Sequence, residues 1–265
     1  MMGTQFTSRL TESDARRVRS RVRAVWLSVA APRGAAGAKS VAALSATDRR
    51  KLGDTTMAEV LQVAEEHDFS KQFQASRVFL DVLDWLKHLQ TNAKYNAFQG
   101  IIKEYGLDTA PTPTSELGRR LDALAVDAEG DQRDPFRVSS TTAARSVLAM
   151  VMTQRVGETR HETAAQSFGR RLAALNTKRV VSQYIQHFVA DAVEKMIERA
   201  DPKGREPAVS GSREILSEAA ERLAHRAIRR IEEGGLLNKS ERIRDVVFEE
   251  LRDLAAQRLR KDPAP

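Results

Sequence analysis

KRVVSQYIQHFVADAVEKMIERA, residues 178–200, places Val181, Ile185, Phe188, Ala192 and Met196 at steps of four, three, four and four. That rhythm is the 3.6-residue period of an α-helix, not the alternation of a strand. A helix this long and this apolar predicts a place among other helices. TAARSVLAMVMTQ, 142–154, carries a single charge and predicts a second buried helix upstream.

Working outward, the helical reading extends along the chain. SRVFLDVLDWLKHL (76–89) is apolar around most of its circumference, and MAEVLQVAEEH (57–67) reads as one helix. A short helix is expected near 44–52. AKYNAFQGIIKEYG (93–106) should stop at Gly106. TAPTPTS (109–115) is expected to be non-helical because its two prolines fix φ and remove donors, with Ser115 capping SELGRRLDALAVDA. EGDQRDP (129–135) reads as a polar loop and DPKGREPAVSGS (201–212) as a linker. Beyond it, Leu216, Ala220, Leu223, Ala227 and Ile231, then Gly234-Gly235, then Ile243, Val247, Leu251 and Leu254 predict an antiparallel helical hairpin. No segment has a strand pattern. The expected fold is all-α: a multi-helix bundle at 54–200, a basic helical arm and linker at 1–53, and a linker with the hairpin at 201–265.

The 265 residues contain no cysteine, which excludes disulfides and thiolate metal sites and fits a reducing, cytoplasmic setting. No apolar run approaches the length of a membrane span. The apolar stretch near residue 25 is too far from the start, and too close to Arg23, for a secretory signal. The net charge of +7 is unevenly distributed. Residues 1–53 hold 11 Lys+Arg against 3 Asp+Glu, and 138–205 hold 11 against 6. Residues 54–118 are acidic, with 5 against 10.

In the amino-terminal helix Val18, Val22, Val25 and Val29 form one stripe. Arg16, Arg19 and Arg23 lie on one flank of it, Arg17 and Arg21 on the other. A second basic cluster, Arg170, Arg171, Lys178 and Arg179, brackets AALNT. Arginine forks match phosphate oxygens, so these nine residues are the candidate contacts to a DNA or RNA backbone. The sequence therefore points to a non-enzymatic subunit of a larger assembly, with a protein partner or a second copy meeting residues 213–259. A scaffold whose arginines meet acidic proteins is an alternative, as is a helix lying on an anionic membrane with Trp26 at the interface.

Two stretches carry sharper chemistry. Arg155 and His161, in RVGETRH (155–161), resemble the Arg-x(4–6)-His element of HEPN-family ribonucleases, which are all-α. The resemblance implies an RNA-cleaving alternative with His161 as acid–base and Arg155 stabilising the transition state. Gly157 between them also fits a polar junction between helices. Ser240, Glu241, Ile243 and Arg244 resemble the opening of the second helix of ribbon–helix–helix DNA-binding proteins, although Ser240 also reads as a simple helix cap. GAAGAKS (34–40) has Ala38 where a phosphate-binding P-loop needs glycine, and reads as a linker. His67, His88, His187 and His225 show no paired metal-ligand spacing, and no cofactor is expected.

Overall fold

A computed structural model describes residues 11–30, 43–66, 68–95, 99–107, 110, 112–128, 134–154, 162–200 and 212–259. The described residues contain eleven α-helices and no strand. In chain order these are α1 (Glu12–Ala30), α2 (Ala46–Glu65), α3 (Phe69–Ala75), α4 (Arg77–Tyr95), α5 (Gln99–Tyr105) and α6 (Pro113–Asp127). They continue with α7 (Arg137–Thr153), α8 (Ala164–Ala173), α9 (Thr177–Ala200), α10 (Ser212–Glu233) and α11 (Ser240–Leu259). The protein is an all-α multi-helix bundle.

The hub is α9, which touches α1, α2, α4, α7 and α10. Its apolar positions are sealed on more than one side, with Val181, Tyr184, Ile185 and Phe188 wholly buried. This explains why its sequence is richer in apolar residues than a surface helix needs. One hydrophobic core runs from Ala15 to Leu254 and takes in parts of all three expected segments. Val18, Val22 and Val25 of the α1 stripe are buried together with Trp26, Val29 is partly buried, and α1 packs on α2 and α9. Trp26 is therefore covered by protein and is not presented to a lipid surface.

At the centre, Phe73 of α3 meets four rings: Phe69 at 6.3 Å, Phe79 at 5.1 Å, Phe136 at 5.5 Å and Phe188 at 5.3 Å between centroids. Tyr184 extends the cluster, its hydroxyl donating to the Phe79 carbonyl at 3.1 Å. Burial pushes that phenol well above its ordinary pKa. Asp134 ties two helix starts to this core. Its carboxylate accepts from the Ser76 hydroxyl at 2.7 Å, from the Val78 amide at 3.2 Å and from the Phe136 amide at 2.8 Å. A buried acid is tolerated here because helix-start amides lack intrahelical partners. Gln90 does the same for the α8–α9 turn, donating to the Leu175 carbonyl at 2.7 Å and accepting from Thr177 at 2.9 Å.

Several boundaries differ from the sequence reading. The expected short helix and its successor are one helix, α2, capped by Ser45 and running through Gly53. Pro113, Thr114 and Ser115 are helical: Thr112 is the cap, its hydroxyl accepting from the Ser115 amide, and Pro113 occupies the first turn. The reason is that proline at the first helical position loses only an amide that had no partner. The first turn of α7 begins at Arg137 rather than 142, and α3 and α8 were not anticipated. Both are short, and seven or ten residues hold too few turns to display a period. Gly106 and Gly235 do end helices, each with positive φ (62° and 63°). Behind them Leu107 donates to the Ile102 carbonyl at 3.0 Å and Leu236 to that of Ile231 at 2.8 Å, as glycine-terminated helices do.

His187 on α9 is half-buried, and desolvation lowers its pKa below the ordinary 6.5. The unfolded chain therefore binds this proton first as pH falls through about 6.5. The folded form should lose stability between that pH and the depressed folded value. The loss of urea midpoint between pH 7.5 and 5.5 is expected to be smaller in His187→Gln than in the parent. Identical pH slopes for the two proteins would remove His187 from the account.

Candidate functional site

The nine basic residues nominated from sequence divide sharply by environment. On the inner flank of α1, Arg17 makes a two-pronged contact with Glu66, each hydrogen bond 2.6 Å. That bond raises the Arg17 pKa and lowers that of Glu66. Arg21 reaches Glu59 at 3.2 Å and Gln62 at 2.8 Å. Both arginines thus clamp α1 to the acidic side of α2. The outer flank is different. Arg16 and Arg23 are exposed and Arg19 is half-buried, with Arg16 only 3.6 Å from the equally exposed Glu12.

Three of the four residues in the second cluster have partners within the chain. Arg170 holds Glu162 through two hydrogen bonds, and Arg171 donates to the Met152 carbonyl, one of the unpaired acceptors at the end of α7. Lys178 pairs with Glu232 of α10 at 2.9 Å. The Arg179 side chain is exposed. Arg155 and His161 lie outside the described residues.

The same use of arginine recurs along α10. Arg222 holds Asp54 at 2.8 Å, Arg226 holds Glu250 at 2.9 Å, and Arg230 bridges Glu250 and Glu249. The apolar stripes of α10 and α11, from Leu216 to Ile231 and from Ile243 to Leu254, are buried within the chain. They are not available to a partner. Ser240 does not cap α11 with its hydroxyl. It donates to Asp84 and accepts from Lys87 at 2.9 Å, fastening α11 to α4. Lys87 also lies 3.3 Å from Asp84, so Ser240, Lys87 and Asp84 form one polar fastener between α4 and α11.

A concave site lies elsewhere, between α6 and α7. It is an open groove of about 670 Å³, in the size range of ligand clefts. Leu148, Ala149 and Met152 of α7 line it, together with Gly118 of α6. A Cβ built on Gly118 would meet no atom within 4 Å, so the missing side chain leaves open space. Arg145 stands on the α7 rim, its Nη2 donating to both oxygens of Asp122 at 2.7 and 2.6 Å. Its Nε and Nη1 donate to no protein atom among the described residues. Arg119 stands on the α6 rim, about two-thirds exposed, and shares Glu116 with Arg120. The hydrogen bond from Arg119, supported by Arg120, pulls Glu116 down to a pKa of about 2, so its charge persists at any physiological pH.

Sequence reasoning gave α6 and α7 as helices but did not join them into a site. One signal was present. Glycine inside a helix costs about 1 kcal/mol relative to alanine, and Gly118 sits mid-helix with no turn to justify it.

No protein-family model, curated protein or solved structure matches the chain. Among the described residues no cluster of histidine and carboxylate groups could hold a metal, and no helix is long and apolar enough to cross a membrane.

Proposed function

We propose that this is a non-catalytic, cytoplasmic helical subunit that binds another protein. The observation that carries the reading is the disposition of its arginines. Arg17, Arg21, Arg170 and Arg171, with Lys178, hold the bundle's own carboxylates and carbonyls, which leaves less positive field for phosphate than the sequence implied. The open groove between α6 and α7 supplies a partner surface, since the stripes of α10 and α11 are consumed in the core.

Binding of nucleic-acid backbone is the second reading, favoured by the exposure of Arg16 and Arg23 on the outer flank of α1. Exposed ion pairs contribute at most about 1 kcal/mol, so a phosphate could displace Glu12 from Arg16. The two readings separate in a titration of labelled double-stranded DNA and single-stranded RNA against the full chain, across a salt series. The protein-binding reading expects no saturable binding at physiological ionic strength. Binding that weakens steeply with salt and disappears in Arg16→Ala/Arg19→Ala/Arg23→Ala would replace it with the nucleic-acid reading. RNA cleavage abolished by His161→Ala would replace both with the ribonuclease.

A further inference from the structure

We propose that the groove between α6 and α7 seats two turns of an amphipathic helix from a partner protein, with an acidic residue beside its apolar anchors. The inference rests on the protein-binding reading and names the occupant of that site. The groove walls run from Thr114 to Asp122 on α6 and from Arg145 to Thr153 on α7. Eight residues of helix rise about 12 Å. Anchors at i, i+3 or i+4, and i+7 span about 10.5 Å, so a helix of that pattern fills the groove along its length.

The side walls set the cross-section. Gly118 has no side chain and Ala149 has a single carbon, which lets a partner backbone approach closely between the two helices. Buried Leu148 and half-buried Met152 supply the apolar contact, the latter with a flexible side chain that moulds to leucine or phenylalanine.

Charge fixes the sign of the partner. Asp122 occupies one amino group of Arg145, and the remaining donors of that guanidinium meet no acceptor among the described residues. A partner carboxylate can therefore bind Arg145 without first breaking the Asp122 pair. A bond of this kind, from Nε or Nη1 to a carboxylate, is charge-assisted and stronger than one between neutral groups. A lysine in the same place would face Arg145 across the rim.

The test uses the full chain and two fluorescent alanine-based helical peptides with the same leucine anchors, one carrying glutamates beside them and the other lysines. Fluorescence anisotropy should give the glutamate peptide at least about tenfold tighter binding than the lysine peptide, a difference of about 1.4 kcal/mol. Gly118→Leu should weaken the glutamate peptide about tenfold or more while the thermal transition persists, because the new side chain enters open space. Ala149→Glu, at an exposed position, should do the same by repulsion. Arg145→Gln should erase the preference between the peptides. Equal binding of both, no binding of either, or binding indifferent to Gly118→Leu and Ala149→Glu overturns the proposal. Saturable binding of dodecanoate lost in Gly118→Leu, with neither peptide bound, overturns it in favour of a small-carboxylate site. Failure here without nucleic-acid binding leaves the protein-binding reading in place with another surface. Failure of that reading would appear in the DNA and RNA titrations.

Discussion

Phe73→Ala should lower the unfolding free energy by about 3–5 kcal/mol, the cost of emptying a phenylalanine site in a packed core. Phe73 is wholly buried and meets rings from four directions, two of them edge-on at 5.1 and 5.5 Å. The contacts join α3 to α4, α9 and the start of α7, so no single neighbour can collapse into the space without leaving another. Phe73→Leu keeps most of the volume and should lose less. Equilibrium urea unfolding followed by far-UV circular dichroism measures both. A loss below about 1 kcal/mol for the alanine variant would mean that the aromatic cluster is not the centre of the core.

Two Gly→Ala substitutions should have opposite signs. Both glycines lie inside helices, where alanine is favoured by about 1 kcal/mol on intrinsic propensity. At Gly53, however, the new Cβ would stand 2.6 Å from the Ile215 carbonyl oxygen and 3.3 Å from the Ala219 Cβ. That oxygen belongs to the backbone of α10 and cannot rotate away, so α2 and α10 must separate. Separation also strains the Arg222–Asp54 bonds that join the same two helices. The net effect should be a loss of about 1–3 kcal/mol, the usual cost of overpacking. At Gly118 nothing opposes the new methyl group, and Gly118→Ala should gain up to about 1 kcal/mol. If both variants gained stability by similar amounts, the close approach of α2 and α10 would be refuted.

The pair also shows what could be read from the chain. The all-α class followed from periodicity in residues 178–200 and 142–154, where apolar residues are dense enough to reveal 3.6-residue spacing. Gly106 and Gly235 marked helix ends because positive φ is a local demand that glycine meets. Gly53 and Gly118 look alike in sequence, and the difference between them is a close neighbour: Ile215 of α10, 162 residues along the chain, for Gly53, and no atom within 4 Å for Gly118. The partners of the basic patches were hidden for the same reason. Arg17 and Arg21 could be counted in a strip, but Glu66 and Glu59 are their neighbours only after α1 has docked. Charge tallied along a chain overstates the field of the folded molecule wherever opposite charges are brought together.

The burial of the α1 valine stripe against both α2 and α9 has a consequence for synthesis. During synthesis α1 emerges before α9, and Val181 and its neighbours follow it by more than 150 residues. At about 5–20 residues per second that interval is roughly ten to thirty seconds. During it the stripe has at most half of its seat, and the inner arginines can reach only the carboxylates of α2. The seat of α1 is thus completed only when α9 has been made, with α2 the earlier of its two partners.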